Sequence, residues 1–215
     1  MKKETALVIC AHSDDQVFGA GGTIARYARE GKTVKTIIFS YGEQSHPWLD
    51  RKVVVQTRTK EAFDADKVLG GHGVLFYGLL EGKFAEEAKE KKTVQKLIQL
   101  LHKLKPQKIF THSEDDPHPD HKATAALVLE AFDKAKIQGE VYTFDVWSPV
   151  KVKERHHPKY IVPIKDTFKI KLKALRCFSS QWAAMIMLLW SVYARALING
   201  LQHGHLLAEK FHKVR

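Results

Sequence analysis

Short, almost wholly apolar runs alternate along this chain with longer stretches in which apolar positions recur every three or four residues. TALVIC (5–10) is a continuous apolar run, as expected for a strand buried on both faces of a parallel sheet. TVKTIIFSYG, GVLFYG, QKIFTHS and EVYTFDVWSP predict four further strands. Between them lie helical patterns. GGTIARYAREG has Ile24, Tyr27 and Ala28 on one face and Gly31 as its stop. KVVVQTRTKEAFDADKVLGG offers Val55, Phe63 and Leu69 to a core. AEEAKEKKTVQKLIQLLHKLKP reads as one amphipathic helix closed by Pro106, and HPDHKATAALVLEAFDKA as another.

Repeated strand-then-helix units of this length predict an α/β, Rossmann-like doubly wound, mostly parallel sheet with helices on both faces. Beyond Ser148 the alternation loosens through KVKERHHPKYIVPI into two final helices. No repeat or linker breaks the chain. One domain over 1–215 is expected, with 148–215 as a divergent helical portion of it.

In such a sheet, ligands bind outside the carboxyl ends of the strands. AHSDD follows the first strand, SYGEQSH the second, YGLLEGK the third and THSEDDPHPDH the fourth, so polar side chains converge on one edge. His12 and Asp15, with Asp14 between, could meet His121 there. Two histidines and a carboxylate form a common zinc ligand set with room for a water. Twelve histidines make chance spacings common, and His46, His72, His102, His156, His157, His203, His205 and His212 are taken as surface or structural. Asp116 and Asp120 could equally be helix caps, with Pro119 at the first helical position. Spacing alone leaves both readings open; the shared sheet edge favours the metal.

Composition narrows the field without choosing. Of the 215 residues, 44% are hydrophobic and 27% charged, which is ordinary for a folded globular chain. Two cysteines give no disulfide framework, so a reducing, cytoplasmic setting is expected. The opening MKKETALVIC is too short in apolar residues for a signal peptide. A net charge of +11 raises nucleic acid or anionic membranes as partners. The lysines, however, lie on helices without interleaved aromatics, so no nucleic-acid partner is expected. WAAMIMLLWSVYA (182–194) falls short of the roughly 20 residues that span a bilayer and reads as a core, dimer or interfacial helix. Peripheral membrane contact and homo-oligomers both stay open. GAGGT (19–23) fails the dinucleotide pattern because Ile24 stands where the last glycine belongs. Its glycines are expected to let the acidic loop fold back into the helix.

AHSDDQVFGAGGTIA resembles the A-H-P-D-D-E-x-x-G-x-G-G-T-x-A signature of the PIG-L/LmbE-like zinc-dependent de-N-acetylases. THSEDDPHPDH is similar to that family's second motif, RTKEAFDADKVLG to its R-x-x-E helix, and AEKF (208–211) to a weaker tail pattern. The resemblance implies Zn²⁺ held by His12, Asp15 and His121, with Asp14 as general base. It also implies that His118, oriented by Asp120, stabilises or protonates the tetrahedral intermediate, and that Arg58 binds substrate. The implied substrate is a small N-acetylated amino sugar or N-acetylglucosamine conjugate. Chemistry agrees: amide hydrolysis needs an activated water, a carboxylate to take its proton and a positive partner for the oxyanion. Asp120 beside His118 is expected to raise its pKa. Ser13 and Gln16 depart from the family's Pro and Glu, and Asp116 stands where some members have Tyr. These departures motivate an alternative, a ligand-binding protein that keeps the metal site without turnover.

Overall fold

A computed structural model of the chain describes residues 3–147 and 157–215. The end of the fifth predicted strand and His156 lie outside the described residues. The chain runs β1 (Thr5–Cys10), α1 (Asp15–Arg29), β2 (Thr33–Ile38), α2 (Arg51–Leu69), β3 (Val74–Phe76), α3 (Phe84–Glu90) and α4 (Thr93–Leu104). It continues through β4 (Lys108–His112), α5 (Pro119–Ala135), β5 (Glu140–Phe144), β6 (Lys159–Pro163), α6 (Phe168–Leu175), α7 (Trp182–Leu201) and β7 (Ala208–Lys213). The strands form one sheet in the order β3-β2-β1-β4-β5-β7-β6. β1 to β5 pair in parallel, and β7 runs antiparallel to both β5 and β6. The predicted doubly wound α/β fold is what forms.

Strand periodicity divides the core in two. Ala6, Val8 and Cys10 of β1 pack on the face covered by α1, α2, α6 and α7. Leu7, Ile9 and Ala11 pack on the face covered by α3, α4 and α5. The strand order reverses between β1 and β4, so the loops after these two strands flank a crevice.

Several expectations need correcting. Helix α1 begins at Asp15, six residues ahead of GGTIA, so the glycines lie inside the helix and not in a loop. They serve close packing: a Cβ on Gly19 would sit 2.2 Å from the Phe144 ring, and one on Gly22 2.7 Å from Ile164. The helix predicted over 85–106 is two helices, broken where Lys92 takes a left-handed conformation at φ 52°. Phe63 is exposed; α2 instead buries Val54, Ala62, Ala65 and Leu69, with Arg58 and Glu61 on the same face.

The C-terminal portion is not only helical. It adds β6 and β7, and β7 carries a buried Glu209 that ties the layers together. The Glu209 carboxylate accepts from the Gly22 and Thr23 amides of α1 and from Lys171 Nζ of α6, at 2.7–2.9 Å. Lys171 also donates to Phe18 O at 2.8 Å. The Glu209–Lys171 pair thus bonds backbone groups of α1 from its first turn (Phe18) to about two turns in (Gly22 and Thr23). Finally, α7 is not a core helix, because most of its large apolar side chains are exposed.

Candidate metal and catalytic site

The turn after β1 places His12, Ser13 and Asp14 at the crevice, and α1 starts at once with Asp15. Asp14 is the N-cap residue, yet its side chain makes no capping bond, which frees the carboxylate for another partner. Asp15 folds back over the turn and accepts the His12 amide at 2.8 Å. From the other side, His118 caps α5: its Nδ1 accepts the Asp120 amide at 3.2 Å, with Pro119 in the first helical turn. His121, in the first turn of α5, is fully buried.

The two loops meet. Asp15 Oδ1 lies 3.4 Å from His121 Nε2, Asp15 Oδ2 3.3 Å from His12 Nδ1, and the two imidazole centroids are 5.4 Å apart. Ligand atoms of His12, Asp15 and His121 fall within 4.8 Å of one another and all three residues are buried, so this trio can hold a metal ion. His121 is set up for it. Both ring nitrogens are buried without a formal hydrogen bond: Nε2 lies 3.4 Å from Asp15 Oδ1, and Nδ1 faces the Asp116 carboxylate at 3.0 Å. That is the arrangement of a metal-binding imidazole whose far nitrogen is oriented by a carboxylate.

Electrostatics separates the two adjacent carboxylates. Burial opposes ionisation of Asp15, but His121 and His112 outweigh it and hold the group well below the usual carboxylate range. Asp14 shifts upward, through burial first and repulsion from Asp15 next, against the pull of Arg58. Neighbouring carboxyl groups pushed apart in this way suit different roles. Burial also works against charge on His121, yet Asp15 and Asp116 raise it to about 9.

Arg58 reaches the site from α2, donating Nε–H to Ser13 Oγ at 3.1 Å, with Nη2 3.5 Å from Asp14 Oδ1. The Ser13 that departs from the family signature therefore anchors this arginine. Gln16 departs with a structural consequence too: its Nε2 donates to Ser13 O at 2.7 Å, bracing the turn from below.

The expected partnership of His118 and Asp120 takes another form. Only the Asp120 backbone amide reaches His118; the carboxylate accepts from Gly82 N at 3.0 Å and lies 3.3 Å from His12 Nε2. Burial first, then His12 and His121, lower the His118 pKa instead of raising it. With Nδ1 accepting, the proton of the neutral ring sits on Nε2.

Three functional neighbours were missed in the sequence. His112, at the end of β4, accepts the Ala11 amide at 3.1 Å, approaches Asp15 Oδ2 at 3.2 Å and stacks on His121 at 3.8 Å. Burial and His121 bring its pKa down to about 4. Asp116 holds His121 and accepts the Val146 amide, and Glu81 stands 3.5 Å from His12 Nε2. The signal for the first two was the run His112-x₃-Asp116-x₄-His121 at one strand end. His12, Asp14, Asp15, Arg58, Glu81 and His118 line a cleft of about 150 Å³ bounded by Trp147 and by Ala184 and Leu188 of α7, with His112, Asp116 and His121 fully buried.

Fold and site define a doubly wound α/β protein with a metal-capable His/Asp cluster at its topological switch point. The family model described as "PIG-L: GlcNAc-PI de-N-acetylase" matches residues 7–132, and the chain belongs to that family. It is 29% identical over 220 residues to the 4-oxalmesaconate hydratase of Pseudomonas putida, covering 93% of this chain and 81% of that protein. To the diacetylchitobiose deacetylase of Thermococcus kodakarensis it is 25% identical, covering 94% and 80%. The crystal structure of the 4-carboxy-2-hydroxymuconate hydratase from P. putida superposes with a TM-score of 0.82 at 26% identity, over 99% of this chain and 96% of the other.

Proposed function

We propose that the protein is a zinc-dependent hydrolase that removes the N-acetyl group from an N-acetylglucosamine-containing small molecule or glycoconjugate. The observation that carries this is the paired arrangement beside the cleft: a buried His12–Asp15–His121 donor set with the more basic Asp14 next to it. Two nitrogens and one carboxylate oxygen fit Zn²⁺ with a position left open. When bound, zinc supplies Lewis acidity and lowers the pKa of a coordinated water to about 7.

The chain's own groups do the rest. Asp14 accepts the proton of the attacking water as its oxygen adds to the acetyl carbonyl. Arg58, held by Ser13, keeps Asp14 oriented and offers donors to the sugar. The neutral His118 donates its Nε2–H to the carbonyl oxygen as that oxygen gains charge. The proton on Asp14 then passes to the departing nitrogen, the C–N bond breaks, and acetate and a free amine leave. Asp120 keeps His12 in place; Asp116 and His112 do the same for His121 and Asp15. Two free cysteines, one of them fully buried, suit a reducing cytoplasmic setting.

Acetate release from N-acetylglucosamine, diacetylchitobiose and N-acetylglucosaminyl conjugates, measured with zinc and with chelator, tests this reading. Release that zinc restores and Asp14→Asn abolishes is the expected result. No release from any of them by zinc-loaded protein would defeat it and favour binding without turnover. One observation favours a second reading: the P. putida hydratase shares more identity than the deacetylase does. A metal site beside a raised carboxylate could also add water to an activated double bond. Consumption of 4-oxalmesaconate, followed by its ultraviolet absorbance, with no acetate release from sugars, would select that reading.

A further inference from the structure

α7 has two unlike sides. Leu188, Ser191, Val192, Ala196 and Gly200 form a buried stripe against β7 and the core. The opposite side is apolar and uncovered among the described residues: Trp182 is 65% exposed, Ile186 70% and Trp190 56%, and Met187, Tyr193 and Leu201 are exposed with them. Arg195 is the single charged residue of the helix, and it turns inward to donate to the carbonyls of Asp145 and Ser191. A contiguous apolar face on this scale is more than soluble monomers ordinarily show to water.

By length and composition alone, the segment Ser179–Leu201 could cross a membrane. Its buried stripe argues otherwise, because leaving the domain would strip the core of Leu188, Val192 and Ala196. The helix instead lies along the surface, with its outer face uncovered among the described residues.

What flanks that face indicates the partner. α6, which packs on α1 and α2, touches α7 through a Phe168–Tyr193 ring contact with centroids 5.2 Å apart. α6 exposes Lys169 and Lys173, with Lys165 just before it and Arg176 just after; Asp166 is the one exposed acid in that stretch. The whole chain carries +11. An anionic surface would neutralise that rim, whereas a second copy of the chain, itself at +11, would not. Tryptophan and tyrosine are also the side chains that settle at the boundary between headgroups and acyl chains. We propose that the outer face of α7, with the basic rim of α6, docks the protein onto an anionic lipid bilayer. The same helix lines the cleft with Ala184 and Leu188, so docking sets the cleft mouth close to the headgroups.

Co-sedimentation with vesicles tests this without any turnover, so its outcome is independent of the proposed chemistry. The whole protein should sediment at low salt with phosphatidylcholine vesicles containing phosphatidylglycerol and stay in solution with phosphatidylcholine alone. Lys169→Glu with Lys173→Glu should weaken binding by roughly tenfold or more. Brominated acyl chains should quench tryptophan fluorescence in the wild type, and Trp182→Phe with Trp190→Phe should remove the quenching while Trp48 and Trp147 remain. These positions are exposed, and circular dichroism checks that each variant folds. Absence of sedimentation with anionic vesicles, or quenching that survives the double substitution, overturns the proposal. So does a stable dimer that Ile186→Glu dissociates, which would make a second copy the occupant.

Discussion

At the residue scale, the site works by giving neighbours opposite electrostatic fates. Asp14 and Asp15 are adjacent, yet one is paired with imidazoles and the other is buried beside an arginine. On the proposed mechanism, Asp14→Asn should cut deacetylation by about 10²–10⁴-fold, since it removes the proposed proton acceptor. The same change should raise the melting temperature of the metal-free protein at neutral pH. Burial raises the folded-state pKa of Asp14, so the folded state holds that proton more tightly. Its contribution favours folding below the unfolded carboxylate pKa and is lost as pH rises through the folded value. The gain from Asn should therefore shrink at acidic pH, which melting at two pH values with chelator will show. Asp116→Asn should weaken zinc affinity by about 10–100-fold, measured by competition with a chromophoric chelator, because His121 loses its orienting charge. Gln16→Glu, which restores the family residue, should cost about 1–3 kcal/mol in urea unfolding, because a carboxylate cannot donate to Ser13 O.

At the scale of elements, the Glu209–Lys171 pair joins β7, α6 and α1. Both side chains are buried, and Nζ sits 2.7 Å from Oε1. Glu209→Gln should destabilise the fold by about 3–5 kcal/mol by leaving a buried ammonium without its counter-charge. Glu209→Gln combined with Lys171→Met should recover part of that loss in the same denaturant titration. The link also bears on the site, since α1 carries Asp15 at its start and Glu209 braces the same helix about two turns later. The tail motif AEKF thus supports the front of the molecule from the back of the sheet.

At the scale of the whole molecule, the cleft is assembled from opposite halves of the chain, so the proposed metal would link its binding to folding. Free zinc at about 1,000 times its dissociation constant should stabilise the protein by about 4 kcal/mol, and excess chelator should remove that increment. His121→Ala should abolish the zinc-dependent shift while leaving a folded protein, which separates ligand loss from misfolding.

The five parallel strands and the position of the site were legible in the sequence because their signals are local. An apolar run marks a doubly buried strand, and polar residues at four strand ends mark one sheet edge. That His12, Asp15 and His121 would come together was expected from the shared sheet edge and the family resemblance, not from their spacing alone. Which carboxylate touches which imidazole was not legible. Asp120 looked like a partner for His118 by proximity in sequence, but the packing of the Gly82 loop turned its carboxylate toward His12. His112 and Asp116 were hidden because a histidine ending a buried strand and an aspartate before a helix have ordinary structural uses. β6 and β7 escaped because antiparallel addition at a sheet edge is decided by long-range pairing, and β7 buries polar residues that mask its period. α7 is apolar on nearly every side, so its sequence could not say which face would be inside. The sequence by itself determined the parallel core, the edge where chemistry collects and the donor atoms available there. Only the tertiary structure decided the pairings among them and the face left open to a partner, because both depend on contacts between segments far apart in the chain.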